Sequence, residues 1–146
     1  MKLQLDAARE LIALAQEKAA QYGKAITVAV VDAGGFLIAL DRQDGGRPLT
    51  PSIAISKAYT AAVMQRPANM LKGWSDSEPT FFSQVSRMGM HPIVAADGGV
   101  TVVRGGEIIG GIGVSGGRPE EDQAICEAAL TEAGYELEFA AWGAKR

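Results

Sequence analysis

The chain has 146 residues, of which 47% are hydrophobic and 21% are charged, a balance typical of one globular domain with a substantial core. Its net charge of −3 argues against a nucleic-acid-binding protein, which usually carries a basic face. The sequence has no apolar run long enough to span a membrane and no signal-peptide core, so we expect a cytoplasmic protein. Cys126 is the only cysteine, which excludes an internal disulfide and a cysteine zinc cluster.

The first predicted elements are an amphipathic helix and a β-hairpin. Residues 6–22 place apolar side chains at helical spacing. Asp6 is predicted to cap the start of this helix, and Gly23 to end it in the left-handed conformation. Residues 25–31 and 36–41 are predicted to be two strands, because each is an apolar run and the link between them has turn chemistry.

An alanine-rich helix is predicted next. Thr50 is expected to cap it, Pro51 to occupy its first position, and the apolar pattern to continue to about Gln65. Lys57 is the lone charge among its small apolar residues. So little charge predicts that the helix is covered on most sides, by its own sheet and by another subunit.

The segment from residue 68 to residue 95 is predicted to contain short helices, a loop and a short strand. Residues 68–74 form a helical turn, and a further short helix begins at residues 77–79. Residues 87–92 read as a loop that enters a short strand at residues 93–95.

The glycine-rich segment at residues 98–117 predicts a second hairpin. Gly105 and Gly106 lie between two β-rich runs and tolerate the positive φ angles of a two-residue turn. Regular pairing from this turn sets three pairs opposite each other: Val103–Ile108, Val102–Ile109 and Thr101–Gly110.

Alternation along these two strands predicts one bulky face and one bare face. Thr101 and Val103 are grouped with Ile112 and Val114, while Val100, Val102, Gly111 and Gly113 are grouped on the other side. The bare end of that second face invites close approach by another backbone, a helix or a ligand.

The chain is predicted to close with a helix that starts at Pro119 and ends at Gly134. The tail at residues 135–141 has weak alternation, typical of an added strand or an arm. Hairpin connections dominate and no βαβ repeat is present, so we expect an α+β fold with an antiparallel sheet in a single domain, residues 1–146.

Three sequence stretches resemble the GlcG/HbpS family: TVAVVDAGGFLIALDRQDG, SKAYTAAVMQRP and GGVTVVRGGEIIGGIGVSGGRPEED. Members of this family are called haem-binding-protein-like, and a related domain forms the C-terminal part of PduO proteins. The resemblance implies a five-stranded antiparallel sheet flanked by helices in a homo-oligomer. It also implies haem or a corrinoid as the ligand of some relatives, and a place beside glycolate or aromatic catabolism for others.

His91 is the only histidine, and it lies in a loop with Met88 and Met90. Imidazole and thioether groups are ligands of haem iron, so this segment is a candidate cofactor site. An imidazole also titrates near neutral pH, so His91 is a candidate catalytic base. The alternative is a surface histidine packed beside a proline.

Lys57 is the second candidate catalytic residue and a candidate ligand contact. A lysine among apolar groups can have a lowered pKa and attack a carbonyl, or it can pair with a ligand carboxylate. The alternatives are a lysine that extends into solvent, or one that pairs with an internal acid such as Asp41 or Asp44. Arg42 and Arg47 are candidates to clamp a carboxylate or a haem propionate.

Two other sites are disfavoured by the sequence. Ser115, Gly116 and Gly117 precede a helix and could cradle a phosphate, but three acidic residues occupy the first turn of that helix and would repel it. A metal site built from several protein ligands is also disfavoured, because the chain has one histidine and one cysteine.

The sequence therefore supports three functional hypotheses. The first is a small-ligand-binding protein, for haem or a similar planar cofactor, with an accessory or sensing role in catabolism. The second is a catabolic enzyme that acts on a carboxylate-bearing metabolite, with His91 or Lys57 as the base. The third is an oligomeric accessory protein without an active pocket.

Overall fold

The computed structural model describes residues 2–138. The elements follow in chain order: α1 (Leu5–Ala20), β1 (Thr27–Asp32), β2 (Leu37–Arg42), α2 (Thr50–Val63), a 3₁₀ helix (Ala68–Leu71), α3 (Lys72–Ser77), α4 (Pro79–Val85), β3 (Gly99–Arg104), β4 (Glu107–Ser115) and α5 (Pro119–Glu132). The predicted α+β fold is confirmed. No helix among residues 2–138 is long and apolar enough to cross a bilayer.

The sheet of the described residues has four strands, so the predicted five-stranded sheet is wrong. The strands lie in the order β2-β1-β4-β3 and each neighbouring pair is antiparallel. The predicted strand at residues 93–95 is missing because its backbone bonds elsewhere: the Val94 N–H donates to the hydroxyl of Thr60 on α2, at 3.0 Å. From the tail, Glu136 forms a single bridge to Val103, and residues 139–141 lie outside the described part of the chain.

Helices cover both faces of the sheet. One face carries large aliphatic side chains that pack against α1 and α5, and its fully buried members from the strands are Val28, Val30, Val102, Ile112 and Val114. The other face is built from small residues and receives α2. This asymmetry sets how close each helix lies to the strands.

Helix α2 approaches the sheet backbone directly. A Cβ atom added to Gly113 would collide with the carbonyl of Ala54, and one added to Gly111 would collide with the carbonyl of Ala58. The predicted close approach at these glycines is therefore confirmed, and the element that makes it is a helix of the same chain. The bare face gives no support to self-association, because α2 already covers it.

The turn at Gly105 and Gly106 is confirmed, with φ angles of +60° and +73°. The predicted regular pairing fails after the first pair. Val103 faces Ile108 as expected, but the ladder then skips one residue of β4 and pairs Val102 with Gly110. The skipped residue leaves a β-bulge.

The bulge reverses the predicted sorting of β3. Thr101 pairs with Gly111 and donates its hydroxyl to the Ala61 carbonyl on α2, at 3.2 Å, so it lies on the small-residue face. Val102 joins Ile112 in the aliphatic core. One extra residue is enough to move every following side chain to the opposite face.

Two predicted helix caps are wrong. Helix α1 begins at Leu5, so Asp6 lies within its first turn rather than at its cap. Helix α2 begins at Thr50, whose hydroxyl donates to the Arg47 carbonyl at 2.7 Å instead of capping the helix. The predicted left-handed Gly23 is confirmed by its φ angle of +65°.

Candidate functional site

A cavity of about 570 Å³ opens between the N-terminal half of α2, the loop before β3 and the connection from β4 to α5. Its lining combines aliphatic residues, such as Leu49 and Ile53, with seven polar side chains, which are Arg47, Thr50, Lys57, Lys72, Asp97, Ser115 and Asp122. Cavities of this size and mixed character are typical of small-molecule sites.

A buried ion pair forms the inner wall of the cavity. Lys57 is 7% exposed and Asp122 is 3% exposed. The Lys57 ammonium donates to Asp122 Oδ2 at 3.2 Å and to the Val114 carbonyl at 2.9 Å. Asp122 Oδ1 accepts the Gly117 N–H at 2.9 Å. The pair therefore ties α2 to the end of β4 and to the first turn of α5.

These contacts settle two sequence interpretations. Lys57 does not extend into solvent, and its acidic partner is Asp122 rather than Asp41 or Asp44. Asp41 is exposed on β2 and accepts a hydrogen bond from Gln16 instead, at 3.3 Å. The expected contact of Asp122 with a backbone amide of the preceding loop is confirmed.

Burial governs the ionisation of this part of the site. Loss of solvent raises the pKa of Asp122 above its usual range, and the Lys57 ammonium and the Gly117 N–H offset part of that rise. Burial also raises the pKa of the Cys126 thiol, whose Sγ donates to the Gly98 carbonyl at 3.4 Å. Cys126 is therefore an inert core thiol.

A second, more exposed ion pair stands at the rim. Lys72 donates to Asp97 Oδ2 at 2.9 Å, and Asn69 donates to Asp97 Oδ1 at 3.0 Å. The hydrogen bond from Lys72 contributes most to lowering the pKa of Asp97. Arg47 is exposed at the same rim, and its guanidinium makes no hydrogen bond or ion pair within residues 2–138.

The predicted haem-ligand segment lies outside this cavity. The His91 ring is partly buried and meets the Tyr59 ring edge-on, with centroids 5.2 Å apart. The Met90 N–H donates to the Tyr59 hydroxyl at 3.0 Å. The side chains of Met88 and Met90 are 74% and 55% exposed. Tyr59 thus fixes the backbone of the segment while the two thioethers face solvent.

The structure brings together only some of the predicted site residues. Lys57 and Arg47 line one cavity, whereas Arg42 lines another and donates to the Gly46 carbonyl at 3.0 Å. Sequence reasoning missed Lys72 and Asp97, and no local signal could have found them, because their pairing depends on how the chain folds back. Among the described residues, no group of three His, Cys, Asp or Glu side chains could hold a metal ion.

The fold and the cavity define a small α+β domain in which a buried lysine–aspartate pair borders a pocket. The family model described as "Haem degrading protein HbpS-like" matches residues 3–131, and the chain belongs to this family, which is the GlcG/HbpS family that the sequence resembles.

Three relatives illustrate the match. Protein GlcG of Escherichia coli (strain K12) is 35% identical over 108 residues, which cover 74% of this chain and 77% of GlcG. A crystal structure of a PduOC:heme complex has a TM-score of 0.85 at 26% identity and covers 94% of this chain and 99% of that one. A double mutant of Streptomyces reticuli HbpS has a TM-score of 0.81 at 29% identity, with 92% and 88% covered.

Proposed function

We propose that this protein binds haem and that His91 supplies the iron ligand. The observation that carries the proposal is the partly exposed His91 imidazole, whose ring nitrogens make no hydrogen bond in the part of the chain that the structure describes. A neutral imidazole with a free nitrogen is the most common axial ligand of haem iron. The similarity to a chain solved as a haem complex supports the same function.

The surroundings of His91 suit a planar apolar ligand. Met88 and Met90 offer exposed thioethers, and the Tyr59 ring borders His91. Methionine and aromatic side chains pack well against a porphyrin face. Arg87 is exposed in the same segment and is better placed along the chain than Arg42 or Arg47 to meet a propionate.

The Lys57 cavity is a weaker candidate for haem. Its lining residues offer no imidazole, thioether or thiolate to an iron ion. Iron ligation therefore falls to the segment that holds Met88, Met90 and His91.

A binding role is favoured over the enzymatic alternative. His91 and Lys57 are the two candidate bases, and they do not share a cavity. Lys57 also uses its ammonium to hold Asp122 and the Val114 carbonyl, so abstraction of a substrate proton would require that contact to be given up. We infer an accessory or sensing role, in which the bound ligand is the signal or the cargo.

Hemin titration tests the proposal. The wild-type protein should give a shifted Soret band, and His91→Ala should weaken binding about tenfold or more, which corresponds to about 1.4 kcal/mol. Phe36→Ala is the control for adsorption of hemin to apolar surface, since Phe36 is 60% exposed in the first hairpin. This control should bind as the wild type does.

Three outcomes would contradict the proposal. If the wild type does not bind hemin, haem binding is wrong. If His91→Ala keeps the Soret band and the affinity of the wild type, the iron ligand lies elsewhere. If Phe36→Ala loses as much affinity as His91→Ala, binding is adsorption rather than ligation.

A further inference from the structure

Ser115 is a nearly buried residue whose hydroxyl has no hydrogen-bond partner among the described residues. It is 5% exposed and lines the Lys57 cavity at the end of β4. Its hydroxyl makes no hydrogen bond within residues 2–138. Among those residues, every polar side-chain atom that solvent cannot reach has a hydrogen-bond partner. The hydroxyl must therefore open onto the cavity. An oxygen or nitrogen atom of a ligand in the cavity can hydrogen-bond to a hydroxyl in this position.

The strand pattern explains this orientation. Ser115 follows Gly111 and Gly113 at intervals of two, so it lies on the sheet face that α2 covers. At Ser115 the strand reaches the cavity that the N-terminal half of α2 borders, and this residue forms part of the cavity lining.

The cavity also has one unmatched positive charge. Lys57 is neutralised by Asp122, and Lys72 by Asp97. Arg47 has no acidic partner among the described residues. A guanidinium binds a carboxylate through two parallel hydrogen bonds, which favours a ligand with a single negative charge.

The helix terminus beside the cavity argues against a phosphate ligand. The Gly117 N–H already donates to Asp122, and the Arg118 N–H donates to Glu121 at 2.8 Å. The amides that would hold a phosphate are occupied by carboxylates of the same chain, and these carboxylates would repel a dianion.

We propose that this cavity is a second site, for a small monocarboxylic acid with an aliphatic body and one further oxygen. The carboxylate binds Arg47, the further oxygen hydrogen-bonds to Ser115, and the body packs against Leu49 and Ile53, which are 64% and 36% exposed. Burial of these two side chains adds favourable free energy. The site is independent of haem binding, because none of its residues belongs to the His91 segment.

Calorimetry with trans-4-hydroxycyclohexanecarboxylate tests this site. The wild type should bind it, and should bind the neutral amide of the same acid at least about tenfold more weakly, because the amide cannot form the charge-assisted pair with Arg47. Arg47→Gln should lower affinity for the acid by a similar factor. Arg9→Gln is the matched control, because Arg9 is an exposed arginine on α1, across the sheet from α2.

Ser115→Ala provides a sharper test. The variant should lose about fivefold in affinity for the hydroxylated acid and nothing for cyclohexanecarboxylate, which lacks the hydroxyl. Its melting temperature without ligand should not fall, because the hydroxyl has no hydrogen bond to lose within residues 2–138. His91→Ala should bind the acid as the wild type does, which separates this site from haem binding.

The proposal is wrong if the wild type fails to bind the acid at millimolar concentration, or if acid and amide bind equally. It is also overturned if Arg47→Gln retains full affinity, or if Arg9→Gln loses as much. Equal losses of Ser115→Ala for the two acids would remove Ser115 from the site and with it the further oxygen of the ligand.

Discussion

Replacement of Lys57 with methionine should destabilise the protein by leaving a carboxylate buried without its cation. The Lys57 and Asp122 side chains are 9% and 4% exposed, so the pair qualifies as buried. Removing one partner of such a pair costs about 3–5 kcal/mol. Asp122 keeps the Gly117 N–H and can take up a proton, so we expect the lower end, about 3 kcal/mol at pH 7.

This loss is large for a domain of this size. At roughly 2–4 °C per kcal/mol it lowers the melting temperature by about 6–12 °C. Lys72→Met is the matched control, because the Lys72 side chain is 50% exposed in its pair with Asp97. An exposed pair contributes about 1 kcal/mol or less, so this variant should melt close to the wild type.

The pH dependence of the Lys57→Met variant gives an independent check. Burial already raises the pKa of Asp122, and loss of the ammonium raises it further. Between the unfolded and the raised folded pKa, the native state keeps a proton that the unfolded chain has lost. Stability therefore falls as pH rises through that window, and the penalty is absent below it.

Urea unfolding of wild type and both variants at several pH values measures these effects. The difference between Lys57→Met and the wild type should shrink as the pH falls. If Lys57→Met costs no more than Lys72→Met at pH 7, or if its cost is the same at acidic pH, the buried pair does not stabilise the fold as we argue.

Three further predictions concern the fold and its assembly. Gly113→Ala should lower the free energy of unfolding in urea by about 1–3 kcal/mol, because the added Cβ meets the backbone of α2. Gly73→Ala is the control, since its Cβ has open space and should cost nothing, and equal effects of the two variants would contradict the prediction. Asp32→Ala should cost about 1 kcal/mol, since Asp32 Oδ1 accepts two amides of the first turn, and an unchanged unfolding midpoint would count against it. Light scattering should show self-association at low micromolar concentration, driven by exposed apolar residues such as Leu5 and Leu37, and a monomer would refute it.

Local chemistry was sufficient to predict most elements of the fold. The turn at Gly105 and Gly106 could be predicted because glycine adopts positive φ angles readily, and the two glycines are visible in the sequence. The bulge next to Val102 could not be predicted in the same way. No residue type in the strand marks the point at which the pairing shifts by one residue. The strand predicted at residues 93–95 failed for a related reason: an extended apolar segment bonds to whichever partner the tertiary structure offers, and here that partner is Thr60.

The site was less predictable than the fold. The unusual position of Lys57 was visible as a lone charge in an apolar helix, and Asp122 was visible as an acid one turn before an inward residue. Their pairing was not, because 65 residues separate them in the sequence. Ser115 and Arg47 have no side-chain partner in the described part of the chain, and this too could not be predicted, because the partners of a side chain depend on the assembled cavity.

The contact of α2 with the sheet has a consequence for conformational entropy. Its closest approaches involve Gly111 and Gly113 on β4 and Ala54 and Ala58 on the helix. Glycine and alanine have no side-chain rotamers to lose, so ordering this interface costs almost no side-chain entropy. At these four residues the helix that carries Lys57 is positioned by backbone contact, while the larger side chains of Val31, Leu40 and Ile55 pack in the same interface.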